Sequence, residues 1–80
     1  MIEFPAPLTP RAAHILRRAG DEARAHGAKD YIGVEHIVLA VLTEKESVPA
    51  QVLAKEGIAE QFREALEAVL NSPGYQGSPR

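Results

Sequence analysis

The most regular apolar pattern in the chain lies near its middle, in residues 34–42. Apolar residues recur there at the i, i+3, i+4, i+7, i+8 spacing of one helix face, namely Val34, Ile37, Val38, Val41 and Leu42. The opposite side carries Leu39 and Ala40, so it is apolar as well. A helix that is apolar on nearly all sides should be buried on nearly all sides. The pattern therefore predicts a central helix that begins after Gly33 and is surrounded by other elements.

Three amphipathic patterns predict further helices around this central one. The first begins at Thr9-Pro10, a hydroxyl N-cap followed by proline at the first helical position, and ends at Gly27. The next is a short helix between a serine cap at Ser47 and a terminating Gly57. The last runs over about residues 59–71. No segment shows the alternation of a strand, so the predicted fold is an all-α, compact four-helix bundle.

The domain organisation follows from these boundaries. Residues 1–8 are rich in proline and should form an extended N-terminal segment, residues 9–71 should form one helical repeat, and residues 72–80, rich in glycine, proline and serine, should form a flexible tail. A chain of 80 residues can build one small core and no second domain. It lacks a signal-peptide pattern and a long apolar span, so we expect a cytoplasmic protein without a membrane partner.

Composition narrows the possible chemistry. With 45% hydrophobic residues, 25% charged residues and a net charge of -2, the chain has the composition of an ordinary globular domain. The negative net charge, and arginines that alternate with acids along the first helix, argue against nucleic acid as a partner. The absence of cysteine excludes disulfides, thiolate metal sites and cysteine nucleophiles.

Catalytic patterns are weak. Glu35-His36 is not part of an H-E-x-x-H zinc motif because the second histidine is missing. In the first turn of a buried helix, His36 is expected to hydrogen-bond a neighbouring backbone group and fix the helix start. We therefore expect no enzyme activity and no cofactor. The alternative from another class is a small metal-binding or hydrolase-like protein that uses Glu22, Glu35 and His36.

Several ordered blocks of the sequence resemble one repeat of the Clp N-terminal domain, which stands at the front of ClpA- and ClpC-type Hsp100 unfoldases. The resemblance covers residues 8–70. It implies an all-α repeat, here present once and without the ATPase modules. The blocks that carry it are Leu8-Thr9-Pro10-Arg11-Ala12, Asp21-Glu22-Ala23-Arg24, Tyr31-Ile32-Gly33-Val34-Glu35-His36-Ile37-Val38-Leu39-Ala40-Val41-Leu42, and Val52-Leu53 ahead of Gly57-Ile58.

The resemblance implies a function in protein binding. In this family two repeats pack as a pseudo-twofold pair that captures substrates and adaptor proteins for the ATPase ring. A single repeat would then be a non-catalytic protein-binding module of Clp-dependent proteolysis, with substrates or adaptors of Clp protease as its partners. The alternative is a stand-alone adaptor or decoy that docks onto Clp ATPase subunits or competes with them. An apolar strip left uncovered by the small bundle would favour a homodimer.

The resemblance also implies a ligand site, because each repeat of ClpC-type members resembles a receptor for phosphoarginine. The family's threonine at the start of the first helix corresponds to Thr9, and the glutamate of its G-T-E-H motif corresponds to Glu35. The implied ligand-binding residues are Thr9, Gly33, Val34 and Glu35. A carboxylate suits the guanidinium N–H groups, while a hydroxyl cap and a helix N-terminus suit the phosphate. The competing interpretation makes Thr9 only a cap and Glu35 only a partner of the helix dipole. Val34 replaces the ClpC-type threonine, as in the ClpA-type pattern.

Overall fold

The computed structural model describes residues 4–28 and 30–75. In this part of the chain there are four helices and no strand, which confirms the predicted all-α fold. None of these helices has the length and apolarity needed to cross a membrane. The predicted tail is described only as far as Tyr75, and residues 1–3 of the predicted extended segment lie outside the described residues. The helices are α1 (Pro10–Ala25), α2 (Val34–Thr43), α3 (Val48–Lys55) and α4 (Ala59–Leu70).

The helix ends are set by the residue types that the sequence analysis singled out. Thr9 Oγ1 accepts a hydrogen bond from the Ala12 amide at 3.1 Å, and Ser47 caps α3 in the same way. Gly27 and Gly57 follow α1 and α3 with φ of 86° and 74°. This left-handed conformation is one that glycine adopts without strain, so both glycines stop their helices.

Helices α1 and α2 pack side by side in opposite directions. At the start of α1, Arg11 Nη2 lies 3.6 Å from a carboxylate oxygen of Glu46, which follows the end of α2. Towards the end of α1, Gly20 lies beside Ile32, which precedes α2, and a Cβ added at Gly20 would be 3.8 Å from Ile32 Cδ1. That is an ordinary contact, so no close approach requires this glycine. It makes α1 weaker than alanine would by about 1 kcal/mol.

The core has two clusters of buried side chains, and α2 contributes to both. The first joins Leu39 and Leu42 of α2 to Leu70 of α4 and to Tyr75, beyond the last helix. The second joins Ala40 of α2 to Ile15 and Ala19 of α1. The central position predicted for α2 is therefore correct, because its two sides form the common surface on which the other helices pack.

The prediction that α2 is buried on nearly all sides is wrong for one side. Val34 is 70% exposed, and the residues that follow it along the same side are only half-buried. Helix α1 packs on one flank of α2, and α3 and α4 pack on the other. Among the described residues, no helix fully covers the side between these flanks. We call this side the open face. It consists of the exposed Val34 and of Ile37, Val38 and Val41, which are half-buried because they also pack against the edges of the two core clusters.

Candidate functional site

The start of α2 is held by a hydrogen bond from backbone to side chain. The Gly33 amide donates to Nδ1 of His36 at 2.8 Å, and the His36 side chain is completely buried. This is half of a capping box, in which the side chain of the third helical residue accepts a hydrogen bond from the N-cap amide. The bond confirms the structural role predicted for His36.

His36 also contacts Tyr75, a residue that no sequence motif had indicated. Since Nδ1 accepts a hydrogen bond, the ring proton is on Nε2, which lies 3.3 Å from the Tyr75 hydroxyl oxygen and can donate to it. The Tyr75 hydroxyl in turn donates to the Glu35 carboxylate. Tyr75 is only 5% exposed. We call Gly33, Glu35, His36 and Tyr75 together the α2 corner.

Burial favours the neutral forms of both His36 and Tyr75 in the α2 corner. It lowers the pKa of His36 below its ordinary value of 6.5, against the opposing effect of the Glu35 charge, so the ring is neutral. For Tyr75, burial and then the hydrogen bond to Glu35 raise the pKa above its ordinary value, so the phenol keeps its proton. The phenol is therefore a donor, as its bond to the carboxylate requires.

Glu35 folds back over Gly33. A Cβ added at Gly33 would lie 2.6 Å from Glu35 Oε2 and 2.9 Å from Oε1. The carboxylate thus occupies the space in which a side chain at residue 33 would stand. The φ of Gly33 is -93°, which any residue adopts, so a side chain here would cause no backbone strain but would displace the Glu35 carboxylate.

The four predicted ligand-binding residues do not come together within one copy of the chain. Gly33, Val34 and Glu35 are consecutive at the start of α2, beside the last turns of α1. Thr9 lies at the other end of α1, a helix of 16 residues and so about 24 Å long. There its hydroxyl caps α1, and the residue borders a shallow groove with Ile15 and Val48. One small ligand cannot contact Thr9 and Glu35 of the same copy.

Metal ligation has no support in the part of the chain that the structure describes. No group of three histidine, aspartate or glutamate side chains in residues 4–28 and 30–75 lies close enough to hold a metal ion. The charges of Glu35 and Glu22 both act to raise the pKa of His36 against the effect of burial, but His36 uses both ring nitrogens in the hydrogen bonds described above. The metal-binding alternative therefore lacks a ligand cluster in these residues.

Comparison with known families agrees with this architecture. A profile of the Clp repeat (R) N-terminal domain matches residues 6–78, which is nearly the whole chain. The chain belongs to this family. The Clp repeat is a non-catalytic N-terminal domain, and the four helices and the absence of strands in the described residues are consistent with it.

The chain is similar to the N-terminal regions of much longer proteins. It is 47% identical over 51 residues to the chloroplastic chaperone protein ClpC of Pisum sativum, a match that covers 64% of this chain and 5% of that protein. It is 39% identical over 70 residues to the chaperone protein ClpB of Oceanobacillus iheyensis, covering 88% of this chain and 8% of that protein. The chain thus spans less than a tenth of these relatives. No solved structure matches it.

The cytoplasmic location stays a prediction, since the relatives include chloroplastic as well as bacterial proteins.

Proposed function

We propose that this Clp repeat is a non-catalytic module that binds protein substrates or adaptors in Clp-dependent proteolysis. The open face of α2 is the observation that supports the proposal. A stable small domain normally buries a helix face made only of valine and isoleucine, and a face that is covered only in part is suited to a protein partner. Helix α3 also carries two exposed valines, Val48 at 73% and Val52 at 53%.

Binding of an unfolded protein tests this proposal. We expect the chain to bind a permanently unfolded probe, reduced and carboxymethylated α-lactalbumin, as measured by fluorescence anisotropy. Val34→Asp should weaken binding at least about tenfold, because a charge on the open face would be desolvated by the bound segment. Val69→Asp, a matched change at an exposed valine of α4, should bind as the parent does. Equal affinities for the parent and Val34→Asp would contradict a role for the open face.

The same surface supports the predicted homodimer, which we propose as a second use of the open face. Two copies related by a twofold axis would each cover the α2 residues that a single repeat leaves open. Sedimentation equilibrium at micromolar concentration should then give a mass near twice 8.7 kDa, and Val34→Asp should return it to the monomer value. A measured mass of only 8.7 kDa for the parent chain would contradict the homodimer.

We also propose that the α2 corner is the part of the predicted phosphoarginine site that one copy provides. Glu35 would accept the guanidinium N–H groups, and the N-terminus of the ten-residue α2 would favour the phosphate. Thr9 would take part only from a second copy, because it lies at the opposite end of α1 from Glu35. Titration of free phosphoarginine by calorimetry tests this assignment. An affinity that is unchanged by Glu35→Ala would remove Glu35 from the site.

A further inference from the structure

The Glu35 carboxylate is already bound to a group of its own chain. The Tyr75 hydroxyl donates to Glu35 Oε2, and the His36 Nε2–H lies behind the hydroxyl oxygen. Tyr75 reaches this place from beyond the end of α4, 40 residues from Glu35 along the chain. The tyrosine therefore occupies the position from which an external donor would approach this carboxylate oxygen.

Tyr75 lies on a short segment after the last helix, and its ring packs against side chains of α2 and α4. Helix α4 ends at Leu70, and the turn that follows is fixed by a bond from Ser72 Oγ to the Val69 carbonyl at 2.7 Å and by a bond from the Tyr75 amide to the Ser72 carbonyl at 3.2 Å. The four helices are complete without residues 72–75. Release of Tyr75 would therefore open the α2 corner without breaking a hydrogen bond inside any helix.

We propose that Tyr75 is an internal competitor for Glu35, so that a guanidinium ligand binds the α2 corner only when the Tyr75 phenol leaves it. This inference rests on the proposed role of Glu35 in phosphoarginine binding. A phenol offers the carboxylate one O–H donor, whereas a guanidinium offers two parallel N–H donors and a positive charge. Tyr75 thereby selects against ligands with a single neutral donor, because these would only replace the bond that the carboxylate already has.

The packing of Tyr75 explains why the competition can be reversible. Its ring belongs to the first core cluster with Leu39, Leu42 and Leu70, so the segment returns to a prepared apolar position when the ligand dissociates. Gly33 keeps the space above its Cα open for the Glu35 carboxylate in either state. Ligand binding and the detachment of residues 72–75 are then two sides of one equilibrium.

Calorimetric titration of free phosphoarginine into the full chain tests the competition. Tyr75→Phe keeps the ring and removes the hydroxyl. It should raise the affinity at least about fivefold over the parent, because release of the ring no longer breaks a hydrogen bond to Glu35. Gly74→Ala changes the same segment where an added methyl would meet nothing within 4 Å, and it should bind as the parent does. Adding Glu35→Gln to Tyr75→Phe should remove the gain. Circular dichroism of each variant checks that the helices are intact.

The possible results separate the competition from the ligand site itself. Equal affinities of the parent and Tyr75→Phe, both lost with Glu35→Gln, would overturn the competition and leave Glu35 as a ligand residue. No binding by either protein would overturn both the phosphoarginine site and the competition at it. Neither result would touch the binding of unfolded protein by the open face, which is measured with a different probe and a different substitution.

Discussion

Leu39→Ala should lower the free energy of unfolding by about 3–4 kcal/mol, the largest effect we expect from a single apolar truncation in this chain. Leu39 is completely buried, and it joins α2 to Leu70 and Tyr75 in the first core cluster. Truncation would remove the transfer free energy of the side chain and leave a cavity, because three separate segments meet there and cannot all close on it. A domain of 80 residues has a total stability of only about 4–12 kcal/mol.

Urea titration followed by circular dichroism measures this loss. The midpoint should fall sharply with little change in the slope, which reports the surface exposed on unfolding. Val69→Ala is the matched control, because Val69 is 57% exposed and its truncation should cost less than about 1 kcal/mol. Equal losses from the two variants would mean that Leu39 is not a central contact of the core.

Acidification should destabilise the chain through His36, with a slope of at most about 1.4 kcal/mol per pH unit, the limit for the uptake of one proton. Burial lowers the pKa of His36 in the folded protein below the value of 6.5 that the unfolded chain keeps. Between these two values the unfolded chain binds the proton and the folded chain does not. The contribution of His36 to the free energy of unfolding should therefore be constant above pH 6.5. It should fall as the pH drops below 6.5.

His36→Gln tests the origin of this slope. Glutamine can still accept the Gly33 N–H, as in other capping boxes, but it has no proton to gain between pH 5 and 7. The variant should be less stable at neutral pH, because it lacks the Nε2–H bond to Tyr75, and its stability should vary less with pH in this window. His14→Gln removes a histidine at the surface and is the matched control. A slope unchanged by His36→Gln would assign the acid sensitivity to other groups.

The α2 corner shows how far a local motif can be interpreted. The Gly33-Val34-Glu35-His36 motif predicted a helix start fixed by histidine, and the bond from Gly33 to His36 lies within one turn, so nothing distant was needed to make it. The contact between Glu35 and Tyr75 spans 40 residues and depends on where α4 ends. No periodicity or capping rule predicts such a contact, and a tyrosine between glycines and prolines gives no sign of being buried.

The sequence by itself determined the four helices, their caps at Thr9 and Ser47, and the central role of α2, because caps, turn glycines and apolar spacing act over a few residues. It also carried the family resemblance. Only the tertiary structure decided which side of α2 is covered, since that depends on how many helices are available to pack against it. The antiparallel packing of α1 on α2 likewise separated Thr9 from Glu35, and the turn after α4 brought Tyr75 to the carboxylate, because both depend on directions set by the whole bundle.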